Sequence, residues 1–254
     1  LVVPPGIEQI AKNEITGLFP TLRPSSTTDE LEYDCDLQTI YKLNLVLKVP
    51  NRILVRFGEF EATSFQDLFK KSASLPWKHF LKKDVSVKIR TTCHKSKLYH
   101  SDAVTQRIHQ AIESNLAKKV PLLKGDSEES HGKQQLIIVR LLRDQVTISL
   151  DSSGNPLYMR GYREIVSKAP LRENLAASLL LASGWSPEFP LIDPFCGSGT
   201  IPIEAALIAK NHPPGLYRDF SFENWPEFNQ TTWQNMRREY IQNSFDVTTR
   251  ILGS

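Results

Sequence analysis

The sequence predicts an α/β protein made of two modules. Strand-like and helix-like apolar patterns alternate from the start of the chain through Leu150, and a strand, a glycine-rich turn and a helix then follow one another from Leu191 to Leu207. With 254 residues there is room for two domains of ordinary size, each burying its own core.

Leu1-Val2-Val3 reads as a strand that Pro4-Pro5-Gly6 ends. Ile7, Ile10, Ala11, Ile15 and Leu18 recur at helical spacing and stop before Pro20, and Leu37, Ile40, Tyr41 and Leu45 make a second stripe. Arg52 to Phe60 reads as a strand, and Phe65, Leu68, Phe69 and Leu75 mark a third helix. From Asp84 to Thr92, Val85, Val87 and Ile89 alternate with Ser86, Lys88 and Arg90, as a half-buried strand requires. Val104, Ile108, Ile112 and Leu116 mark a helix from Ser101 onward. Lys124 to Lys133 is polar and is expected to be a solvated, mobile loop. Leu136–Leu142 and Val146–Leu150 should pair as a hairpin about Arg143-Asp144-Gln145.

In the second half, Pro170 suits the first turn of a helix from Ala169 to Ser183, whose buried face would be Leu171, Leu175 and Leu179 and which Gly184 ends. Beyond Pro213-Pro214-Gly215 the aromatic residues Tyr217, Phe220, Phe222, Trp225, Phe228 and Trp233 are dense. Such density favours packing over base stacking, because each ring buries a large area. Trp233 to Phe245 reads as a helix and Val247 to Leu252 as the approach to another strand.

Composition narrows the class. A hydrophobic fraction of 40% and a charged fraction of 23% are those of a globular domain, and no apolar run reaches the ~20 residues that cross a bilayer. Without a basic, hydrophobic leader the chain is expected in the cytoplasm. Cys35, Cys93 and Cys196 are far apart and form no Cys-x-x-Cys pair, so neither a metal centre nor a redox pair is expected. A net charge of +3 permits a nucleic-acid partner without requiring one.

The chemistry concentrates in Asp193-Pro194-Phe195-Cys196-Gly197-Ser198-Gly199-Thr200. Gly197 and Gly199 allow positive φ and close approach of a ligand, and the helix that follows offers free N–H groups and a partial positive charge. Asp193 can accept from an ammonium group or orient the turn, Pro194 and Phe195 stiffen and wall it, and Glu204 lies about a turn into the helix. The alternative is a turn whose glycines serve tight packing alone. The spacing fits neither a dinucleotide Gly-x-Gly-x-x-Gly motif nor a P-loop, since Gly199 is followed by Thr200, Ile201 and Pro202.

A second cluster lies between the strand ending at Thr92 and the helix beginning at Ser101. His94, Lys95, Ser96, Lys97, Tyr99 and His100, with Arg107 beyond them, suit phosphate and sugar contacts, although a solvated surface loop would have the same composition. Arg160 and Arg163 are candidates for RNA contact at the junction between modules, or for salt bridges there.

The Asp193–Thr200 string resembles motif I of S-adenosylmethionine-dependent amino-methyltransferases, whose turn surrounds the methionine end of the cofactor. The run Val85-Ser86-Val87-Lys88-Ile89-Arg90 followed by Ser96-Lys97-Leu98-Tyr99-His100 and a helix is similar to a THUMP domain, an RNA-binding module preceded by a ferredoxin-like segment. The stretches Asp151–Arg163 and Ala169–Ala177 match the junction of bacterial 23S rRNA guanine-N2 methyltransferases of the RlmL type, whose relatives are often labelled N6-adenine-specific DNA methylases.

The resemblance implies a ferredoxin-like segment at 1–60, a THUMP domain at 61–155 and the first part of a Rossmann-like methyltransferase domain at 156–254. It also implies S-adenosylmethionine as cofactor, with Pro170 and Leu171 near it. The expected partner is structured RNA, the expected reaction methyl transfer to an exocyclic base amine, guanine N2 of 23S rRNA, with no metal and no membrane. The alternatives are an N6-adenine DNA methylase and a non-catalytic RNA-binding fragment. The family's ribose-binding acid after the second strand and its Asn/Asp-Pro-Pro-Tyr/Phe motif are both missing from these residues. The chain is therefore expected to be the N-terminal part of a larger enzyme, inactive alone, and no catalytic residue is assigned in it.

Overall fold

The computed structural model describes residues 1–25, 31–82, 84–123, 125, 133–163, 170–244, 246 and 248–254. The expected loop at Lys124–Lys133 lies outside the described residues except for Gly125 and Lys133. So do Ala169, where a helix was expected to start, and Phe245 and Val247. The elements are α1 (Glu8–Leu18), α2 (Leu37–Val46), β1 (Leu54–Glu61), α3 (Phe65–Ala73), β2 (Ser86–His94), α4 (Ser101–Leu116), β3 (Gln134–Leu142), β4 (Gln145–Asp151), α5 (Glu173–Ala182), β5 (Leu191–Asp193), α6 (Thr200–Ala209), α7 (Gln230–Gln242) and β6 (Ile251–Gly253). Side chains mark three of the helix starts: Asp36, Ser64 and Asn229 accept from the backbone N–H of Thr39, Asp67 and Thr232. None of the described helices is long and apolar enough to cross a membrane.

The chain divides into two compact units. One comprises Leu54–Asn155 with Phe220–Phe228. Its sheet has the order β1-β4-β3-β2, in which β2 and β3 are parallel and joined through α4, while the other two pairs are antiparallel. Leu68, Trp77, Val104, Ile108, Ile112, Ile137, Val139 and Ile148 form the core against α3 and α4. Trp225 returns to this unit late in the chain, donating its indole N–H to Gln135 Oε1 at 2.8 Å. The expected alternation in β2 breaks at Lys88, which is buried beside buried Val87. The outer edge of the strand is covered there: Val87 donates to Pro121 O at 2.9 Å and Leu123 donates to Val87 O at the same distance.

The β3–β4 hairpin turns on Arg143 and Asp144, with φ of 52° and 65°. Positive φ at both central positions makes this the tight turn whose twist matches that of the strands. It is fixed from outside, because Asp144 N donates to Ser96 Oγ at 3.0 Å and Lys97 N donates to Asp144 Oδ1 at 2.7 Å.

The other unit comprises Leu1–Ile53, Pro156–Asp219 and Asn229–Ser254. The N-terminal segment is thus folded together with the part that carries the glycine turn. Among the described residues, 1–53 hold two helices and isolated bridges, Val2 with Arg52 and Pro24 with Tyr33, so Leu1-Val2-Val3 contributes a single bridge rather than a strand. Its next strand, β1, joins the sheet of the other unit instead. Ala11, Leu31 and Val49 form a small core with Leu1, Val3, Ile7 and Ile10 packed on it, and Tyr41 meets Trp233 edge-on at 6.1 Å.

Helix α5 differs from its expected form. It begins after Arg172, so Pro170 lies outside it. Leu171 and Leu179 are exposed, and the buried face is Asn174, Ala176, Ala177, Ser178 and Leu180. The side-chain amide of Asn174 accounts for this rotation, because it donates to Val49 O at 3.0 Å and to Asn51 Oδ1 at 2.8 Å inside the unit. Phe220, Phe222, Trp225 and Trp233 are buried, as the packing argument requires, whereas Tyr217 is exposed.

Candidate functional site

Strands β5 and β6 run parallel, with Asp193 opposite Gly253, and the glycine turn leaves the end of β5. Asp193 orients the turn: its Oδ1 accepts from Phe195 N at 3.2 Å and its backbone O accepts from Ser254 N at 3.1 Å. Cys196 N donates to Ser254 O at 3.1 Å, so both sides of the turn are tied to the end of β6. Gly253 makes this approach possible, since a Cβ there would sit 2.9 Å from Cys196 Sγ.

The opposite side of the turn is open. Gly197 and Gly199 have φ of 53° and 76°, and nothing lies within 4 Å of where a Cβ on Gly197 would stand. Gly199 N donates to Cys196 O at 2.8 Å, and α6 starts at Thr200 with no side-chain cap. Among the described residues the amides of Ser198 and Thr200 have no backbone acceptor. Free N–H groups at a positive helix end, beside space that a side chain would fill, suit a carboxylate or another anionic group. The residues therefore fit the amino-acid end of the expected cofactor.

Charged side chains support the turn from within the same unit. Arg163 Nε donates to Glu173 Oε1 at 2.9 Å, its Nη2 to Thr200 Oγ1 at 3.0 Å and Leu171 O at 3.3 Å, and its Nη1 to Ser198 Oγ at 3.3 Å. Arg160 lies deeper, with its side chain 2% exposed: it donates to Leu157 O at 2.6 Å and Lys48 O at 2.7 Å, and its Nε stands 3.6 Å from Glu204 Oε1. Tyr162 donates its hydroxyl to the same Glu204 oxygen at 3.1 Å.

Burial dominates the electrostatics. It raises the Glu204 carboxyl above the ordinary range against the opposing pull of Arg160, and it raises the Tyr162 phenol, with the carboxylates of Glu204 and Glu173 adding to the effect. Glu14 is likewise raised by burial, although Lys48 attracts its charge and the amides of Lys48 and Val49 donate to it. The Lys48 ammonium is pushed down by burial.

The structure thus gathers Asp193, Pro194, Cys196, Gly197, Ser198, Gly199, Thr200 and the Leu171 carbonyl into one neighbourhood, with these corrections. Phe195 is 93% exposed and walls nothing among the described residues. Glu204 is buried, and its Oε1 is engaged inside the protein by Tyr162 and Arg160, so it anchors α6. Arg160 is buried and so is not placed to meet RNA, and Arg163 makes its contacts to the turn and Glu173. Glu173, Tyr162, Lys48 and Glu14 complete the network. The sequence signals them only by a carboxylate at a helix start and by the string Arg160-Gly161-Tyr162-Arg163.

In the other unit, His94, Lys95, Lys97 and His100 are exposed between β2 and α4, and Tyr99, 68% exposed, has its ring centroid 4.1 Å from that of His100. The Ser96 hydroxyl is used in holding the hairpin turn, and half-buried Arg107 sits over the Phe65 ring at 5.9 Å.

Residues 62–151 match the THUMP domain model, and residues 160–254 match the model described as RMKL-like, methyltransferase domain. A Bacillus subtilis protein under the provisional name RNA methyltransferase YpsC is 34% identical over 255 residues, which is 99% of this chain and 65% of that protein. The ribosomal RNA large subunit methyltransferase K/L of Colwellia psychrerythraea is 34% identical over 94% of this chain and 34% of its own length. A crystal structure from Listeria monocytogenes, described as a predicted N6-adenine-specific DNA methylase, superposes with a TM-score of 0.87 at 33% identity, covering 99% of this chain and 66% of that one. SMU.472, a methyltransferase by provisional assignment and complexed with SAH, superposes at 0.82 with 31% identity, covering 99% and 66%. The chain therefore spans slightly less than two thirds of these relatives at most.

Proposed function

We propose that the chain belongs with the THUMP-containing, RMKL-like methyltransferases, whose domain models match residues 62–151 and 160–254, and that it carries the cofactor turn and the RNA-binding module of an RNA methyltransferase. The reaction is transfer of the sulfonium methyl group of S-adenosylmethionine to an exocyclic base amine, guanine N2 of large-subunit ribosomal RNA, in the cytoplasm. The observation that carries the reading is the open turn at Gly197–Thr200, with its unpartnered amides and its arginine support, in a chain that also contains a THUMP domain.

Asp193–Thr200 would hold the methionine end of the cofactor, with Asp193 as acceptor for the ammonium group. Preset amides and the buried ion network hold the turn in shape before the ligand arrives, so little reorganisation is left for the binding or the transfer step. His94, Lys95, Lys97 and His100 would contact RNA phosphates and sugars, with Ser96 shaping the loop. The chain by itself is proposed to bind without turnover, because no Asn/Asp-Pro-Pro-Tyr/Phe run occurs in its sequence.

Replacing Lys95 and Lys97 together with Gln tests the RNA half. Binding of a large-subunit rRNA fragment, followed by fluorescence anisotropy across a salt series, should weaken, and the log–log salt slope should fall by roughly 0.7–0.9 for each lost contact. Unchanged binding at every salt concentration would make this loop a plain solvated surface. The relative described as a DNA methylase gives the second reading its footing, and duplex DNA competing as well as rRNA would favour it.

A further inference from the structure

Arg163 is committed to the cofactor turn yet keeps donor capacity in reserve. A guanidinium carries five N–H groups in a planar fork. Nε and Nη2 are spent on Glu173, Thr200 and the Leu171 carbonyl, whereas Nη1 makes a single 3.3 Å contact to the hydroxyl of Ser198, an exposed residue of the turn itself. Among the described residues one N–H of Nη1 is therefore left without a partner beside the free amides at the start of α6. Arg160 and Lys48 do not compete for this role, since Arg160 is turned to Glu204 and to two carbonyls and Lys48 lies near Glu14.

We propose that Arg163 recognises the carboxylate of the cofactor's amino-acid end, acting through Nη1 together with Ser198 and the α6 amides, and that it makes the site select S-adenosylmethionine over analogues lacking that carboxylate. The inference rests on the cofactor reading above and adds a specificity residue to it. Glu173 holds the fork in place through Nε at 2.9 Å. The zwitterionic end of the ligand would then be read at two points, the ammonium at Asp193 and the carboxylate at Arg163.

The test compares S-adenosylmethionine with its decarboxylated form, which keeps the sulfonium and the amine, by calorimetry on the chain and on Arg163→Gln and Arg163→Lys. The unsubstituted chain should prefer the carboxylated ligand. Arg163→Gln should lose roughly ten-fold or more in affinity for S-adenosylmethionine while leaving the decarboxylated ligand almost unaffected, because a charged hydrogen bond is lost with one ligand alone. Arg163→Lys, which keeps a cation for Glu173 but not the fork, should fall between and stays informative if the Gln variant folds poorly. Equal weakening of both ligands would mean that Arg163 only shapes the turn, and an unchanged preference would exclude it from recognition; either overturns the proposal. If the unsubstituted chain binds neither ligand, the cofactor reading itself fails and this inference with it.

Discussion

The buried pair Arg160–Glu204 makes the most demanding prediction about the support of the cofactor helix. Both side chains are nearly inaccessible, at 2% and 1%, and Arg160 also serves two backbone carbonyls. Arg160→Met keeps volume but leaves Glu204 without its cation and Leu157 O and Lys48 O without their donor. Breaking one side of a buried pair costs about 3–5 kcal/mol. At ~2–4 °C per kcal/mol for a chain of this size, the melting temperature should drop on the order of 10 °C. Glu204→Gln still accepts from Tyr162 but removes the charge. In Arg160→Met/Glu204→Gln no unpaired charge remains between the two positions, so its loss should fall short of the summed single losses by about 2 kcal/mol. Urea unfolding followed by circular dichroism at pH 7 on all four proteins measures that coupling. Losses that add to within about 0.5 kcal/mol would refute the claim that these groups compensate one another inside the protein.

Two smaller predictions concern local structure. Hydrogen bonds from Thr39 hold the Asp36 carboxyl below its ordinary value, the amide bond being 2.8 Å. A depressed folded value means that the stabilisation is complete above the unfolded value of 3.8 and disappears as pH falls through the folded one. Asp36→Ala should therefore cost about 1 kcal/mol near neutral pH, with parent and variant converging below pH 3.8 in urea titrations; a gap that persists there would point to a loss other than the cap. Arg143 takes positive φ without being Gly or Asn. Arg143→Asn should raise stability by about 0.5–1 kcal/mol in the same assay, and no gain would mean that the turn's other contacts already absorb the strain.

The strands and helices were legible wherever one residue's period decided the face. The stripes at Ile7–Leu18, Leu37–Leu45 and Val104–Leu116 each became a helix, and Asp193–Thr200 became an open turn between β5 and α6. What the pattern could not supply was the identity of each partner. Leu175 and Leu179 appeared to define the inner face of α5, but Asn174 is held by Val49 and Asn51 from far up the chain, and that contact sets the rotation of the helix. Arg160 and Arg163 look the same as surface arginines in sequence. Their burial depends on Glu204 and Glu173, carboxylates brought to them only by folding, so the sequence leaves RNA contact and salt bridge equally open where the fold takes the salt bridge. Lys88 also departs from the pattern, since the alternation puts it on the outer face and the fold buries it.

The division of the chain also sets an order of assembly. Leu54 and Asp151 are paired neighbours at the ends of β1 and β4, so the inserted segment leaves and re-enters at one point, and Asn51 O accepts from Leu157 N at 2.7 Å just outside it. During synthesis the sheet of the inserted segment can close once β4 has emerged. Helices α1 and α2, made before that segment, must wait with their apolar faces uncovered until α5 and α7 follow. Joining them across the intervening hundred or so residues need not carry the entropy of a loop that long, since a folded insert with adjoining ends acts as a short tether. The later of these segments therefore completes the unit that the earlier one opened.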